Sequence, residues 1–202
     1  MRRPDAAKPL REALKQLWPD GTAAARSRRM HPILARFIRR HEPPRDWRQH
    51  GKSALAAAVT VTLIGWLAAV TGLPLLLAPL APTALLVFGQ PEAPGAQPIN
   101  IFAGYLIATI LAALAMQVVP EPWWLATVCV GLSMLLMLVL RVTHPPAAAV
   151  PLLTLTGSTD TLTLFGVIFA ACTILVALGA AIHRLPPRRR YPLPLKDEID
   201  SE

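Results

Sequence analysis

SALAAAVTVTLIGWLAAVTG, residues 53–72, is an apolar run of 20 residues without an ionisable side chain, the length an α-helix needs to cross the hydrocarbon of a bilayer. Charge is concentrated towards the two ends of the chain. Of the 20 Lys and Arg, 14 lie in residues 1–52 and five in residues 184–202, so Arg141 is the one cation between Ser53 and His183. The same stretch holds three acids, Glu92, Glu121 and Asp160. Four charges cannot wet the surface of a soluble domain this large, whereas a bundle facing lipid needs no such surface. The hydrophobic fraction of 53% and mean hydropathy of +0.45 agree.

Three further runs are long enough to span: Ile99 to Val119, Trp123 to Val142, and Thr161 to about Ile182. Trp123 and Trp124 open the third beside Pro120 and Pro122, the pattern of aromatic residues at a membrane interface. Two other apolar stretches, 74–88 (PLLLAPLAPTALLVF) and 145–157 (PPAAAVPLLTLTG), are too short or too broken for an ordinary span. The expected fold class is therefore an all-α membrane protein with about four transmembrane helices and two short Pro-led re-entrant or broken segments. Span, Pro-led segment and span occur twice, over 53–119 and 123–182, which suggests an internal duplication. Re-entrant short segments would make the halves parallel; crossing ones would make them inverted. Either way both termini share one side, and their Lys and Arg put that side in the cytoplasm.

The organisation expected is a basic tail (1–52), a transmembrane domain (53–183) and a charged C-terminal tail (184–202), in the inner (plasma) membrane of a bacterium. In the first tail, Leu10, Leu14, Leu17 and Trp18 share one helical face, and Ile33, Leu34, Phe37 and Ile38 are backed by Arg36, Arg39 and Arg40. Such patches suit a helix lying in the interface, although the repeated prolines also fit a disordered tail. With the basic residues flanking apolar spans, the expected partners are the bilayer and its anionic headgroups rather than nucleic acid, despite a pI near 10.5. The roughly fifty polar and basic residues ahead of the first apolar run are too many for the n-region of a cleaved signal peptide. Cys129 and Cys172 sit in apolar runs and are expected to pack as small hydrophobes, with no metal site.

The stretch richest in chemistry is Arg141-Val142-Thr143-His144-Pro145-Pro146. Proline suits the first turn of a helix, where its missing N–H has no intrahelical partner. A helix starting at Pro145 or Pro146 would turn its free N–H groups towards His144 and Arg141, an arrangement that favours anions. In that reading Arg141 is the fixed charge and His144 a donor or proton carrier; in the alternative, Arg141 snorkels and the prolines only stop a helix. Gln97 precedes Pro98 at another helix start, Asn100 lies in the first turn of a span where its amide needs a partner, and Thr83 follows Pro82 as a candidate cap.

Leu85-Leu86-Val87-Phe88-Gly89, Pro91, Ala96-Gln97-Pro98 with Asn100, and Thr143-His144-Pro145-Pro146 together resemble the HPP family. The resemblance covers roughly residues 50–185. It implies an integral membrane protein of about four helices, with nitrite as a substrate in some members. Here Ala147-Ala148-Ala149 stands where a Gly-containing stretch is common, and Pro151 is additional.

The function expected is transport of a small inorganic anion, nitrite being the candidate the resemblance implies, through Arg141, Thr143, His144, Pro145, Pro146, Gln97, Asn100 and Thr83. No G-x-x-x-x-G-K-[ST] is present, so coupling would come from a gradient or a partner. A non-transporting membrane scaffold is the alternative, to be told apart by whether water reaches His144. No catalytic pairing of carboxylates, or of nucleophile and base, appears, so neither enzyme activity nor a cofactor is expected. A path among four spans is narrow, which makes homo-oligomerisation an open expectation.

Overall fold

The computed structural model describes residues 36–38, 46–73, 78–118, 123–154 and 161–194, and no strand occurs among them. The chain divides into two units, Met1–Pro44 and Arg45–Glu202. In the first, Arg36, Phe37 and Ile38 are helical and exposed; Leu10, Leu14, Leu17, Trp18, Ile33, Leu34, Arg39 and Arg40 lie outside the described residues.

The second unit is built from six helical elements. Helix α1 is Trp47–Thr71; α2 is Leu80–Ala84, continued by a π-helical turn over Leu85–Gly89; α3 is Pro98–Val118. Helix α4 is Trp123–Val139, a 3₁₀ turn over Pro145–Ala149 runs into α5 at Val150–Thr154, and α6 is Thr161–His183. Three helices, over Trp47–Thr71, Pro98–Gln117 and Leu162–His183, are long and apolar enough to cross a membrane, and Trp123–Val139 is a shorter apolar helix. Helix α1 starts six residues before the apolar run because Asp46 caps it, accepting from the Arg48 N–H at 3.3 Å. The basic tail as bounded from hydropathy thus runs into the first turns of α1.

Helix α4 stops at Val139 rather than continuing to Val142. The Val142 N–H bonds the Met137 carbonyl at 3.0 Å and the Arg141 N–H bonds that of Leu138 at 3.2 Å. These two bonds make a Schellman ending, with Arg141 in the left-handed position at φ 58°.

Hydrogen bonds between distant elements fix the direction of each pass. The end of α2 lies beside the start of α1 and the end of α6: Ser53 donates to the Phe88 carbonyl at 2.6 Å and His183 Nε2 bonds the Val87 carbonyl at 2.7 Å. The chain therefore leaves this base along α1, returns to it by Gly89, and leaves again along α3, whose first turn follows Gln97. Helix α4 comes back to the base, where Asn100 donates to the Thr143 carbonyl at 3.2 Å. The stretch 144–154 departs once more and α6 returns. Each half makes three passes, and the second half starts at the end where the first finished. The halves are inverted, and the two Pro-led segments are broken passes rather than re-entrant loops.

The packing repeats in the same sense. Segment α2 packs on α1 and on α6, whereas α5 with its 3₁₀ turn packs on α4 and on α3. Each short segment thus lies against the helix before it and against the closing helix of the other half. Helices α3 and α6 form the centre, with Ile101, Tyr105, Ala108, Ile168, Ala171, Cys172 and Leu175 fully buried. On the outer helices α1 and α4, Leu55, Val59, Trp66, Val70, Trp123, Trp124, Val128, Leu132 and Leu135 are exposed, a surface suited to lipid.

Candidate functional site

The starts of the two short segments meet inside the bundle. Thr83, in the first turn of α2 after Pro82, and His144, immediately before Pro145, are both fully buried. The Thr83 hydroxyl lies 3.0 Å from His144 Nε2, 2.8 Å from the Tyr105 hydroxyl and 2.9 Å from the Pro79 carbonyl oxygen. Tyr105, from α3, also donates to the Pro79 carbonyl at 3.1 Å. On its other side the imidazole bonds the Gly95 carbonyl through Nδ1 at 2.7 Å. A tilted ring contact with Tyr105, 5.2 Å between centroids, completes the cluster.

Proton placement follows from these partners. A carbonyl only accepts, so Nδ1 carries a hydrogen. With a neutral ring, Nε2 accepts the single Thr83 proton, and Tyr105 has its own to give. A second proton on the imidazole would turn Nε2 into a donor and send the Thr83 proton to Pro79. The cluster can thus hold or release one proton by turning one hydroxyl. A charged ring in this dry setting has no counter-ion among the described residues, which makes the neutral arrangement the resting one.

The helix start after His144 does not offer the anion cradle expected of it. Pro145 and Pro146 have no N–H to give, and the next donor, Ala147, bonds the His144 carbonyl at 3.1 Å. Nor does Arg141 join the cluster. Its side chain is exposed, and its backbone supplies the end of α4. The reading of Arg141 as a fixed charge beside His144 is thereby corrected: the residue stands in a turn that rotates it away from the helix face it would have continued.

The remaining candidates hold backbone in place. Asn100 takes the Thr143 carbonyl, and Gln97 takes the carbonyls of Pro91 and Ala93 at 2.8 and 3.3 Å while accepting the Leu193 N–H at 2.9 Å. Pro146 is buried and Pro145 exposed. Pro151 is the second residue of α5, a position that tolerates its missing N–H. These side chains share one purpose: wherever a helix breaks inside an apolar bundle, a carbonyl loses its partner, and a donor from a distant element supplies one.

The family model for the HPP transmembrane region matches residues 42–192. The chain belongs to the HPP family. No curated protein and no solved structure matches it. In this member the His of the HPP motif is the junction between the two inverted halves, and both prolines begin the short segment after it.

Several residues of the HPP site escaped the sequence reading. Tyr105 lies in a span, and its only signal was a hydroxyl in an otherwise apolar helix. Gly104 left none, yet a Cβ there would fall 2.8 Å from the His144 Cβ, so His144 fits only against a bare backbone. His183 and Ser53 sit where apolar runs end. They line a separate cavity of about 20 Å³ at the base, with Gln49, His50, Lys52 and Arg189, enough for about one water. Lys52 donates to the carbonyls of Leu185 and Pro187 at 2.5 and 2.9 Å, and Arg189 pairs with Glu92 at 2.8 Å and bonds Gln49.

Proposed function

We propose that this HPP protein carries a small inorganic anion across the membrane, with nitrite as the substrate the family resemblance implies. The observation that supports the reading is the meeting of two broken segments, one from each inverted half, at Thr83 and His144. Interrupted helices paired in this way build midplane sites in many secondary transporters. In this proposal α4 is the fourth spanning helix: at about 1.5 Å per residue it is some 25 Å long, with Trp123 and Trp124 at one interface. Both termini face the cytoplasm, as the basic residues at the base favour, and the setting is a bacterial inner membrane. No catalysis and no cofactor are part of the proposal. The described state is the shut one, in which Thr83, Tyr105 and His144 satisfy each other. An entering anion would take hydrogen bonds from the two hydroxyls and the imidazole, and proton uptake by His144 would offset its charge. The exposed face of α4 is where a second copy would pack.

A scaffold is the second reading, favoured by the complete burial and full bonding of His144. Flux decides between them. Proteoliposomes containing the full chain should take up nitrite saturably, and Thr83→Val and His144→Ala should each abolish uptake while Arg141→Gln retains it. Folded wild-type protein with no flux above empty vesicles would establish the scaffold.

A further inference from the structure

Beyond α6 the chain does not leave the bundle but lies across its base, and its arginines surround an open cavity of about 540 Å³ lined by His183, Arg184, Arg188, Arg189 and Arg190. We propose that this cavity binds the headgroup of an acidic phospholipid carrying two phosphates.

The backbone that presents these arginines is held at several points. Lys52 of α1 takes the carbonyls of Leu185 and Pro187, the Arg189 N–H bonds the His183 carbonyl at 3.0 Å, and the Leu193 N–H bonds Gln97. Tyr191 is buried beside His183, with ring centroids 5.5 Å apart. A guanidinium group on such a frame has less freedom to lose when it binds than one on a loose tail. Arg189 is paired with Glu92, which leaves the surplus charge of the segment on Arg184, Arg188 and Arg190, all exposed.

Position and size identify the ligand. Arg184 follows directly on the last residue of an apolar helix, the level at which lipid phosphates lie, and basic pockets at helix ends on that side take up acidic headgroups. Guanidinium forks match phosphate oxygens two at a time. A volume of 540 Å³ is many times that of a bare ion, and three surplus cations exceed the charge of one phosphodiester. A headgroup with two phosphates meets both conditions.

The test is thermal unfolding and native mass spectrometry of the full-length chain in neutral detergent. The probes are cardiolipin, phosphatidylglycerol, phosphatidylcholine and sodium pyrophosphate. Cardiolipin should raise the unfolding temperature and remain bound, with phosphatidylglycerol weaker and phosphatidylcholine inert. The triple variant Arg184→Gln, Arg188→Gln, Arg190→Gln should bind cardiolipin roughly tenfold more weakly, and the corresponding Lys triple should fall between. These side chains are exposed, so both variants should fold. Equal stabilisation by phosphatidylcholine, or by pyrophosphate at matched concentration, overturns the proposal. Unchanged affinity in the Gln triple assigns binding to the basic residues 1–52 and overturns it too. So does cardiolipin binding that appears only after neutralising Asp197, Glu198, Asp200 and Glu202, for then the chain's own acids are the occupant.

Discussion

Thr83 Oγ1 and His144 Nε2 lie 3.0 Å apart, and their contact ties the first turn of one broken segment to the residue that begins the other. The two come from halves that run in opposite directions, so this one hydrogen bond crosses the seam of the duplicated fold. Its loss should be felt both in stability and in whatever motion separates the halves.

Thr83→Val keeps the shape of the side chain and deletes the hydroxyl. Nε2 of His144 then has no partner in a buried site. The expected cost is about 1–2 kcal/mol, read as a lower midpoint in detergent unfolding. Thr83→Ser should restore most of it.

Gly104→Ala puts a methyl 2.8 Å from the His144 Cβ, 3.4 Å from the Met137 sulfur and 3.5 Å from the Ala147 Cβ. Met137 can yield, but His144 is held from both ring nitrogens. Overpacking of this kind costs roughly 1–3 kcal/mol. Unfolding of the single variant measures it, and an unchanged midpoint would mean that His144 is less firmly held than its bonds suggest.

Arg141→Gly should have the opposite sign. The left-handed conformation costs a side-chain-bearing residue about 1 kcal/mol, and glycine adopts it freely. Stabilisation of about that size, with transport retained, is expected; loss of flux would return Arg141 to the anion path.

At the base, a Cβ on Gly179 would lie 2.5 Å from Val87 Cγ1 and 3.1 Å from a Tyr191 ring carbon. Gly179→Ala should therefore destabilise by roughly 1–3 kcal/mol, and Val87→Ala in the same chain should recover part of the loss. A double-mutant cycle measures the coupling, which should be favourable.

Glu92→Gln breaks the pair with Arg189, but Glu92 is 51% exposed and Arg189 24%. The change should cost less than about 1 kcal/mol and fade as salt is added.

The hydrophobic runs made much of the fold legible. Pro98–Val118 and Thr161–His183 differ from the apolar runs by a residue at their ends, because hydropathy there changes at the same place as the helix. The start of α1 and the end of α4 were not legible, since a cap at Asp46 and a left-handed turn at Arg141 are matters of backbone hydrogen bonding. For the site, the sequence brought out Thr83, His144, Asn100 and Gln97 as polar groups beside prolines. Their partners are the carbonyls of Pro79, Gly95, Thr143 and Pro91, and a carbonyl has no letter in a sequence. The inversion of the halves was equally hidden, because it rests on which end of the bundle Phe88 reaches.

The exchange of packing partners between halves bears on how the chain is assembled. Segment α2 is made early, yet the Val87 carbonyl at its end waits for His183, the last residue of the last helix. Until α6 arrives, that carbonyl and the face around it lack their cover in an apolar setting. The first three passes are therefore an unfinished product on their own, and synthesis of the closing helix is the event that seals both halves at once. A chain cut within the 118–123 connection should work only when the two pieces are made together, each supplying the wall that the other lacks.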